Sequence, residues 1–141
     1  MAGRRPRILV VDDDDGTRRI LEELLRHDGF ETSTAPDGTS ALSEARRELP
    51  DVVLTDLRMP AIHGAELCEL LHEVDADLPV IVMTAFSDMD AVIESLGVGA
   101  EDYLIKPLNY DAVLWCVKRA IARRTAKREQ EELYARSTSA W

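Results

Sequence analysis

The amino-acid sequence predicts an α/β fold built on a five-stranded parallel sheet with helices on both faces. Two observations support this prediction. Strand-like and helix-like segments alternate along the 141 residues, which is the pattern of parallel strands joined by crossover helices. The runs Val52–Leu54 and Val80–Met83 are continuously apolar, as expected for strands that are covered on both sides.

Short apolar or β-branched runs mark the five strands, and the second is the most polar, which favours a place near the sheet edge. The strands are predicted at residues 7–11, 30–35, 51–56, 78–85 and 101–106. Apolar residues at helical spacing mark the five helices. The helices are predicted at residues 17–29, 36–49, 65–74, 87–100 and 108–137.

Capping and breaking residues support the helix boundaries. Gly29 stops the first helix, and the second begins near Asp37. Pro60 and Gly64 mark a loop before the third helix. The fourth helix has two candidate N-caps, Ser87 and Asp88, and two candidate ends, Gly97 and Gly99.

Composition places the chain among globular domains of the cytoplasm. It is 45% hydrophobic and 31% charged, and it has no apolar run long enough to span a bilayer or to form a signal peptide. Cys68 and Cys116 stand in helical patterns without a metal-binding spacing, so we expect buried thiols. The net charge of −10 argues against nucleic-acid binding by this domain.

The last helix is expected to extend beyond the domain. Its apolar stripe ends after Ile121, and the segment from Ala112 to Arg128 contains six basic residues and no acid. We therefore divide the chain into a domain at residues 1–122 and a helical extension at residues 123–141. The extension resembles a linker to an output domain, and the chain is either a fragment of a longer protein or a complete single-domain protein.

Polar side chains stand where four of the strands end. Asp12 and Asp13 follow the first strand, and Asp56, Thr84 and Lys106 end the third, fourth and fifth. Ligands bind at this edge of an open parallel sheet, where the first and third strands lie side by side. The sequence therefore predicts three converging carboxylates beside a hydroxyl and an ammonium group.

Three ionised carboxylates in one place require a cation, because each raises the pKa of the others. Oxygen ligands of this kind suit Mg²⁺, with Mn²⁺ as an alternative. A zinc site is not expected, because His27, His63 and His72 lie away from these strand ends and are interpreted as surface or loop residues. Asp12→Ala or Asp56→Asn is expected to relieve repulsion and stabilise the metal-free domain.

A metal-bound carboxylate beside a lysine and a threonine is typical of a phosphoryl-transfer site. Asp56, at the end of the most apolar strand, is the candidate nucleophile that would form an acyl phosphate. Lys106 would pair with one phosphoryl oxygen, and Thr84 would donate a hydrogen bond to another. The small Ala85 leaves room for the group.

Four motifs resemble the receiver domain of two-component response regulators. They are ILVVDDD, DVVLTDLRMPAIHG, PVIVMTA and GAEDYLIKP, and the resemblance covers the chain from about Arg7 to about Ala122. It implies a flavodoxin-like or CheY-like (βα)₅ fold with strand order 2-1-3-4-5. It also implies a signalling phosphoacceptor rather than an enzyme.

The resemblance implies a role for each site residue. Asp56 is the expected phosphoacceptor. Asp13, Asp56 and the backbone carbonyl of Arg58 are the expected direct Mg²⁺ ligands, and Asp12 the ligand that acts through water. Lys106 is the expected phosphoryl-binding lysine, aimed by a cis peptide bond to Pro107.

The resemblance also implies a switch and two tuning positions. Thr84 and Tyr103 are the expected switch pair, which rearranges the surface of helix 4, strand 5 and helix 5 after phosphorylation. Arg58 and Phe86 lie two residues beyond Asp56 and Thr84. We expect them to flank the pocket and to set the lifetime of the phosphoryl group by controlling access of water.

The implied upstream partner is a histidine kinase or a histidine phosphotransfer protein, in contact with helix 1 near Ile20 or Leu24. A homodimer through helix 4, strand 5 and helix 5 is a further expectation. Two other functions compete with this one. A Mg²⁺-dependent aspartyl phosphatase would need an acid, typically at the position of Arg58, and a substrate-binding cap; the other alternative is an interaction module without phosphorylation.

The aspartates after the first strand separate into two pairs. Asp12 and Asp13 are expected at the metal site. Asp14 and Asp15 fall at the start of the first helix, where aspartates cap free N–H groups and complement the helix dipole. The sequence leaves open whether one of the second pair also faces the ion.

Overall fold

The computed structural model describes residues 4–139, apart from the side chains of residues 86, 138 and 139. Strands and helices alternate within these residues. The strands are β1 (Arg7–Val11), β2 (Glu31–Ala35), β3 (Val52–Asp56), β4 (Val80–Ala85) and β5 (Asp102–Lys106). The α-helices are α1 (Asp15–His27), α2 (Gly38–Arg47), α3 (Gly64–Val74), α4 (Met89–Gly97) and α5 (Tyr110–Ser139). One turn of 3₁₀ helix, Phe86–Asp88, precedes α4.

The five strands form one parallel sheet in the order β2-β1-β3-β4-β5. This topology confirms the predicted fold. The polar strand β2 lies at an edge, whereas every residue of β3 is buried. The carboxyl ends of β1 and β3 are neighbours at the centre of the sheet, which is where a ligand site is expected.

Successive strand residues point to opposite faces of the sheet, and this alternation divides the core into two layers. Val53, Val80 and Val82 pack against α2, α3 and α4 on one face. Leu54 and Ile81 pack against α1 and α5 on the other. Helices therefore cover both faces, which explains why the central strands are apolar throughout.

Side-chain caps begin two helices as the sequence predicts. Asp14 caps α1 by accepting a hydrogen bond from the Thr17 N–H, and Asp37 caps α2 by accepting one from the Ser40 N–H. Asp88 holds the N-cap position of α4 but makes no capping hydrogen bond. Of the two predicted N-cap candidates, Asp88 therefore holds the position, but Arg58 binds its carboxylate in place of a capping hydrogen bond.

The helix α5 stays attached to the domain beyond residue 122, so the expectation that the chain projects from residue 123 onward is wrong for its first turns. Arg123 pairs with Glu101 at 2.6 Å. Arg124 is buried and pairs with Asp75, and Lys127 pairs with Asp77. Beyond the end of the apolar stripe, ion pairs hold α5 against the domain. Residues 125–137 are exposed.

Other expectations for single residues have mixed outcomes. Cys68 and Cys116 are buried free thiols, as predicted. His27 and His63 are exposed, but His72 is half-buried on α3, where its Nε2 lies 2.9 Å from the carbonyl oxygen of Leu78. The surface assignment of His72 is therefore wrong. Within the described residues, no helix has the length and apolarity that a membrane span requires.

Candidate functional site

Parallel pairing brings the acidic residues of β1 and β3 together. Val11 pairs with Thr55, so Asp12 and Asp56 are the next residues on neighbouring strands. Asp12 and Asp56 are buried, whereas Asp13 is exposed. Each of these three aspartates offers a carboxylate oxygen, and the three oxygens lie within 4.8 Å of one another. The sheet therefore assembles the predicted acidic cluster.

Lys106 reaches this cluster from the end of β5. Its Nζ donates a hydrogen bond to Asp12 Oδ2 at 2.8 Å and lies 3.4 Å from Asp56 Oδ2. The Lys106–Pro107 peptide bond is cis, as the family resemblance implies. The ammonium group thus compensates part of the negative charge that Asp12 and Asp56 concentrate at the sheet edge.

Burial and charge act in opposite directions on the titration of this site. Burial raises the pKa of Asp56, and the nearby Asp12 carboxylate raises it further, although Lys106 opposes both. Burial lowers the pKa of Lys106, but its hydrogen bond to Asp12 and the two carboxylate charges raise it by more. The lysine therefore stays charged, and Asp56 is less acidic than a free aspartate.

Thr84 ends the buried part of β4 beside a cluster that sequence reasoning missed. Its hydroxyl donates to Asp88 Oδ2 at 3.4 Å, and the guanidinium of Arg58 binds both oxygens of the same carboxylate. The hydrogen bond from Arg58 lowers the pKa of Asp88. Arg58 and Asp88 are 30 residues apart, so no local pattern could have indicated the pair.

The backbone of Arg58 also contacts the acidic cluster. Its N–H donates to Asp56 Oδ1 at 3.2 Å. Among the described residues, no backbone or side-chain group donates a hydrogen bond to the Arg58 carbonyl oxygen. That oxygen is therefore available to another ligand. The guanidinium points away from the cluster toward Asp88.

The other predicted site residues lie around this centre. Ala85 is exposed and pairs with Lys106 across the sheet. Tyr103, on β5, is 38% exposed, whereas Thr84 is 2% exposed. The hydroxyl and the aromatic ring of the expected switch pair thus differ greatly in solvent access. The side chain of Phe86 lies outside the described residues.

The second aspartate pair has partners of its own. Asp14 Oδ2 accepts from the hydroxyl and the N–H of Thr17, and these hydrogen bonds lower the pKa of Asp14. Asp15 pairs with Arg18, which also donates to the carbonyl oxygen of Asp12 at 2.5 Å. Neither carboxylate belongs to the three-aspartate cluster, and both are engaged by residues of α1.

The donor set of the cluster suits a hard cation. It consists of carboxylate oxygens from Asp12, Asp13 and Asp56, and such oxygens are the ligands that Mg²⁺ prefers in proteins. Asp13 is exposed, which leaves the cluster open to solvent. Because Mg²⁺ keeps several waters when it binds protein carboxylates, a solvent-open group of acids fits this ion better than a closed cage.

A match to a known protein family identifies the domain that contains this site. Residues 8–118 match the family described as the response regulator receiver domain. This chain is a response regulator receiver domain. It shares the fold of its relatives as well as their sequence: a response regulator receiver domain protein from Clostridium thermocellum superposes with a TM-score of 0.82, at 30% identity, over 86% of this chain and 98% of that one.

Curated relatives of this receiver domain are longer proteins. The regulatory protein AtoC of Escherichia coli is 38% identical over 96% of this chain and 29% of its own length. The transcriptional regulatory protein PrrA of Mycobacterium leprae is 42% identical over 86% of this chain and 52% of its own length. The receiver domain thus spans about half or less of these two relatives.

Proposed function

We propose that Asp56 accepts a phosphoryl group from the phosphohistidine of a histidine kinase or of a histidine phosphotransfer protein. In this step a carboxylate oxygen of Asp56 attacks phosphorus. The phosphorus–nitrogen bond breaks, and the histidine takes up a proton as it leaves as neutral imidazole. The observation that carries the proposal is the position of Lys106 Nζ, between Asp12 and Asp56 at the open edge of the sheet.

We propose Mg²⁺ as the ion of the acidic cluster, with Mn²⁺ as an alternative. Asp13, Asp56 and the carbonyl oxygen of Arg58 would bind it directly, and Asp12 would bind it through water. When bound, the ion neutralises phosphoryl oxygens as their charge shifts in the transition state. The proximity of the three carboxylates supports this assignment, and so does the free carbonyl oxygen of Arg58.

The remaining site residues would act on the phosphoryl group once it is attached. Lys106 would leave its contact with Asp56 and pair with a phosphoryl oxygen, a charge-assisted interaction. Thr84 would exchange Asp88 for a second phosphoryl oxygen, and Ala85 has no long side chain to obstruct that exchange. Tyr103 would then turn inward behind Thr84 and change the surface formed by α4, β5 and α5.

We further propose that Arg58 and Phe86 set the lifetime of the acyl phosphate. The Arg58 side chain is 78% exposed, and its guanidinium is bound to Asp88. Release from Asp88 would let the guanidinium move over the site and restrict the path by which water reaches Asp56. This role is separate from metal binding, because the guanidinium and the backbone carbonyl of Arg58 are different groups.

The partners follow from the same proposal. The donor protein would contact α1, where Ile20 is 46% exposed and Leu24 is partly buried. A homodimer would use the surface of α4, β5 and α5. We place this signalling role, which is not enzymatic, in the cytoplasm, without membrane or nucleic-acid contact by the domain itself.

We also retain the division of the chain into a receiver domain at residues 1–122 and a helical extension at residues 123–141. The extension would lead to an output domain in a longer protein. The greater length of the curated relatives supports the proposal of a further domain, since the chain covers 29% of AtoC and 52% of PrrA.

Intact-mass measurement tests the phosphoacceptor directly. The protein is incubated with Mg²⁺ and acetyl phosphate, and a labile gain of one phosphoryl group is expected for the wild type. Asp56→Asn should abolish the gain, whereas Asp51→Asn, a matched change at the other end of β3, should not. A wild type without the gain would favour an interaction module that is not regulated by phosphorylation. A phosphorylated Asp56→Asn variant would overturn the assignment of the site.

A further inference from the structure

An exposed stripe with heptad spacing runs along α5. Its members are separated by four, three, four, three and four residues, and every one of them is exposed. They are Trp115, Arg119, Ala122, Ala126, Glu129 and Leu133. This spacing is that of the a and d positions of a coiled coil. The two large apolar members are strongly exposed, Trp115 by 59% and Leu133 by 62%.

The stripe faces away from the domain. Val113, Val117, Ala120 and Arg124 are buried and attach α5 to the sheet and to the loop after α3. At 3.6 residues per turn these residues lie about 180° around the helix from the exposed stripe. A second helix can therefore reach the stripe without displacing any contact that holds α5 to its own domain.

Two copies of the stripe are complementary to each other when the helices are antiparallel, and not when they are parallel and in register. In an antiparallel pair centred on residue 124, Trp115 faces Leu133 of the partner subunit, and Arg119 faces Glu129 of the partner subunit. Ala122 faces Ala126 of the partner subunit, which lets the two helices approach closely. In a parallel pair in register, Arg119 would face Arg119 of the partner subunit, and two like charges would oppose each other.

We propose that the outer face of α5 binds a second copy of this chain in antiparallel orientation. The six stripe positions span 19 residues, about 28 Å of helix at 1.5 Å per residue. Arg119 already lies over the Trp115 ring, 5.1 Å from its centroid, so its cation is held near the face that Glu129 would meet. Glu129 has no ion pair among the described residues, and its carboxylate is therefore available to the partner.

The antiparallel arrangement also separates the two domains. Each domain covers the inner face of α5 only as far as Lys127. In the pair, the extension of one copy lies along the domain-bearing part of the other, and the two domains stand at opposite ends. This association does not require Asp56 to be phosphorylated, and it is independent of the proposed phosphoacceptor function.

Charge exchange tests both the association and its direction. Sedimentation equilibrium of the 141-residue chain should show a concentration-dependent dimer. Arg119→Glu alone and Glu129→Arg alone should each raise the dissociation constant by about tenfold or more, because each places like charges opposite one another. The double variant Arg119→Glu/Glu129→Arg should restore dimerisation, because the pair is re-formed with its signs reversed.

Matched variants off the stripe complete the test. Arg128→Glu and Glu131→Arg make the same charge changes at exposed positions on other faces of α5, and they should leave the dissociation constant unchanged. Circular dichroism establishes that each variant is folded. A monomer at all concentrations would overturn the proposal. Single variants that dimerise as the wild type does would also overturn it, because in a parallel pair each single variant only replaces one contact between like charges with another.

Discussion

The guanidinium of Arg58 binds both carboxylate oxygens of Asp88 and so connects the loop after β3 with the start of α4. The same carboxylate accepts the hydroxyl hydrogen bond of Thr84 at 3.4 Å. Asp88 therefore holds two residues that the proposed function assigns to other tasks. Thr84 must leave it to reach a phosphoryl group, and Arg58 must leave it if its side chain moves over the site.

We predict that Asp88→Ala speeds phosphorylation of Asp56 by acetyl phosphate. The substitution releases Thr84 and removes an interaction that stabilises the unphosphorylated arrangement. The Arg58 side chain is 78% exposed, although that of Asp88 is only 10% exposed. Solvent therefore screens the ion pair in part, and the expected gain in initial rate is roughly two- to fivefold. Asp90→Ala, at an exposed position of α4, is the control. An unchanged rate for Asp88→Ala would show that Thr84 is not held back by Asp88.

Asp56→Asn should stabilise the metal-free domain near neutral pH. Because burial raises the pKa of Asp56 in the folded state, the folded protein holds this proton to a higher pH than the unfolded chain does. The folding free energy from this group is therefore most favourable below the unfolded pKa and is lost as pH rises through the folded pKa. The neutral amide avoids that loss, so we expect the free energy of unfolding to increase by about 1 kcal/mol. A change of this size raises the melting temperature by a few degrees.

The measurement is thermal unfolding of the wild type and of Asp56→Asn in EDTA between pH 3 and pH 7. The two proteins should differ little at the acid end, and the difference should grow toward pH 7. A constant difference across this range would mean that the variant acts through packing and not through the charge of Asp56.

Asp12→Ala should have the opposite effect, which revises the expectation drawn from the sequence. Asp12 is fully buried, its Oδ2 accepts from Lys106 at 2.8 Å, and its Oδ1 accepts from the Asp14 N–H at 2.9 Å. Removing this buried acceptor leaves the Asp14 N–H without its partner and leaves Lys106 with only its 3.4 Å contact to Asp56, which should cost about 1–3 kcal/mol. Urea unfolding in EDTA should show this loss, and an increase in stability would mean that carboxylate repulsion outweighs both hydrogen bonds.

Mg²⁺ should stabilise the folded domain by mass action. An ion at ten times its dissociation constant stabilises a protein by about 1.4 kcal/mol, if it binds only the folded state. Asp13→Asn should abolish the Mg²⁺-dependent rise in melting temperature. The carboxylate of Asp13 is exposed, so its removal should leave the stability in EDTA almost unchanged. Asp15→Asn is the matched control, and a rise that persists in Asp13→Asn would exclude Asp13 as a ligand.

The sequence was sufficient to predict the sheet and the acidic cluster. Parallel pairing makes the ends of neighbouring strands meet, so Asp12, Asp56 and Lys106 were placed together once the strands had been recognised. Residues with a local signature were also predictable: Asp37 stands three residues before the Ser40 N–H that it caps. These features depend on short-range patterns and on one rule of topology.

The features that sequence reasoning missed depend on pairs that are distant along the chain. Asp88 resembled a helix cap, but Arg58 competes for its carboxylate from 30 residues away. Arg124 lies beyond the apolar stripe of α5 and resembled a solvent-exposed residue, yet it is buried against Asp75, 49 residues away. Charged residues have no periodic signature that distinguishes a surface position from a paired one, so these contacts required the structure.

The contact of α5 with the loop after α3 leads to an asymmetric prediction for Arg124 and Asp75. The Arg124 side chain is only 4% exposed, and its Nε and Nη1 have no hydrogen-bond partner among the described residues. Asp75→Asn keeps the acceptor for the Asp77 N–H but removes the only carboxylate that pairs directly with this buried cation among the described residues, which should cost about 3–5 kcal/mol. Arg124→Met removes the buried charge and keeps an apolar side chain of similar length, and it should be nearly neutral or stabilising.

Urea unfolding of Asp75→Asn, Arg124→Met and the double variant separates the contributions. The double variant should resemble Arg124→Met, because Asp75→Asn is harmful only while the cation is present. Lys127→Met removes the neighbouring, more exposed ion pair with Asp77 and should cost about 1 kcal/mol or less. Equal losses for Asp75→Asn and Arg124→Met would instead show that the ion pair itself, and not the burial of the guanidinium, determines how firmly α5 is held at this point.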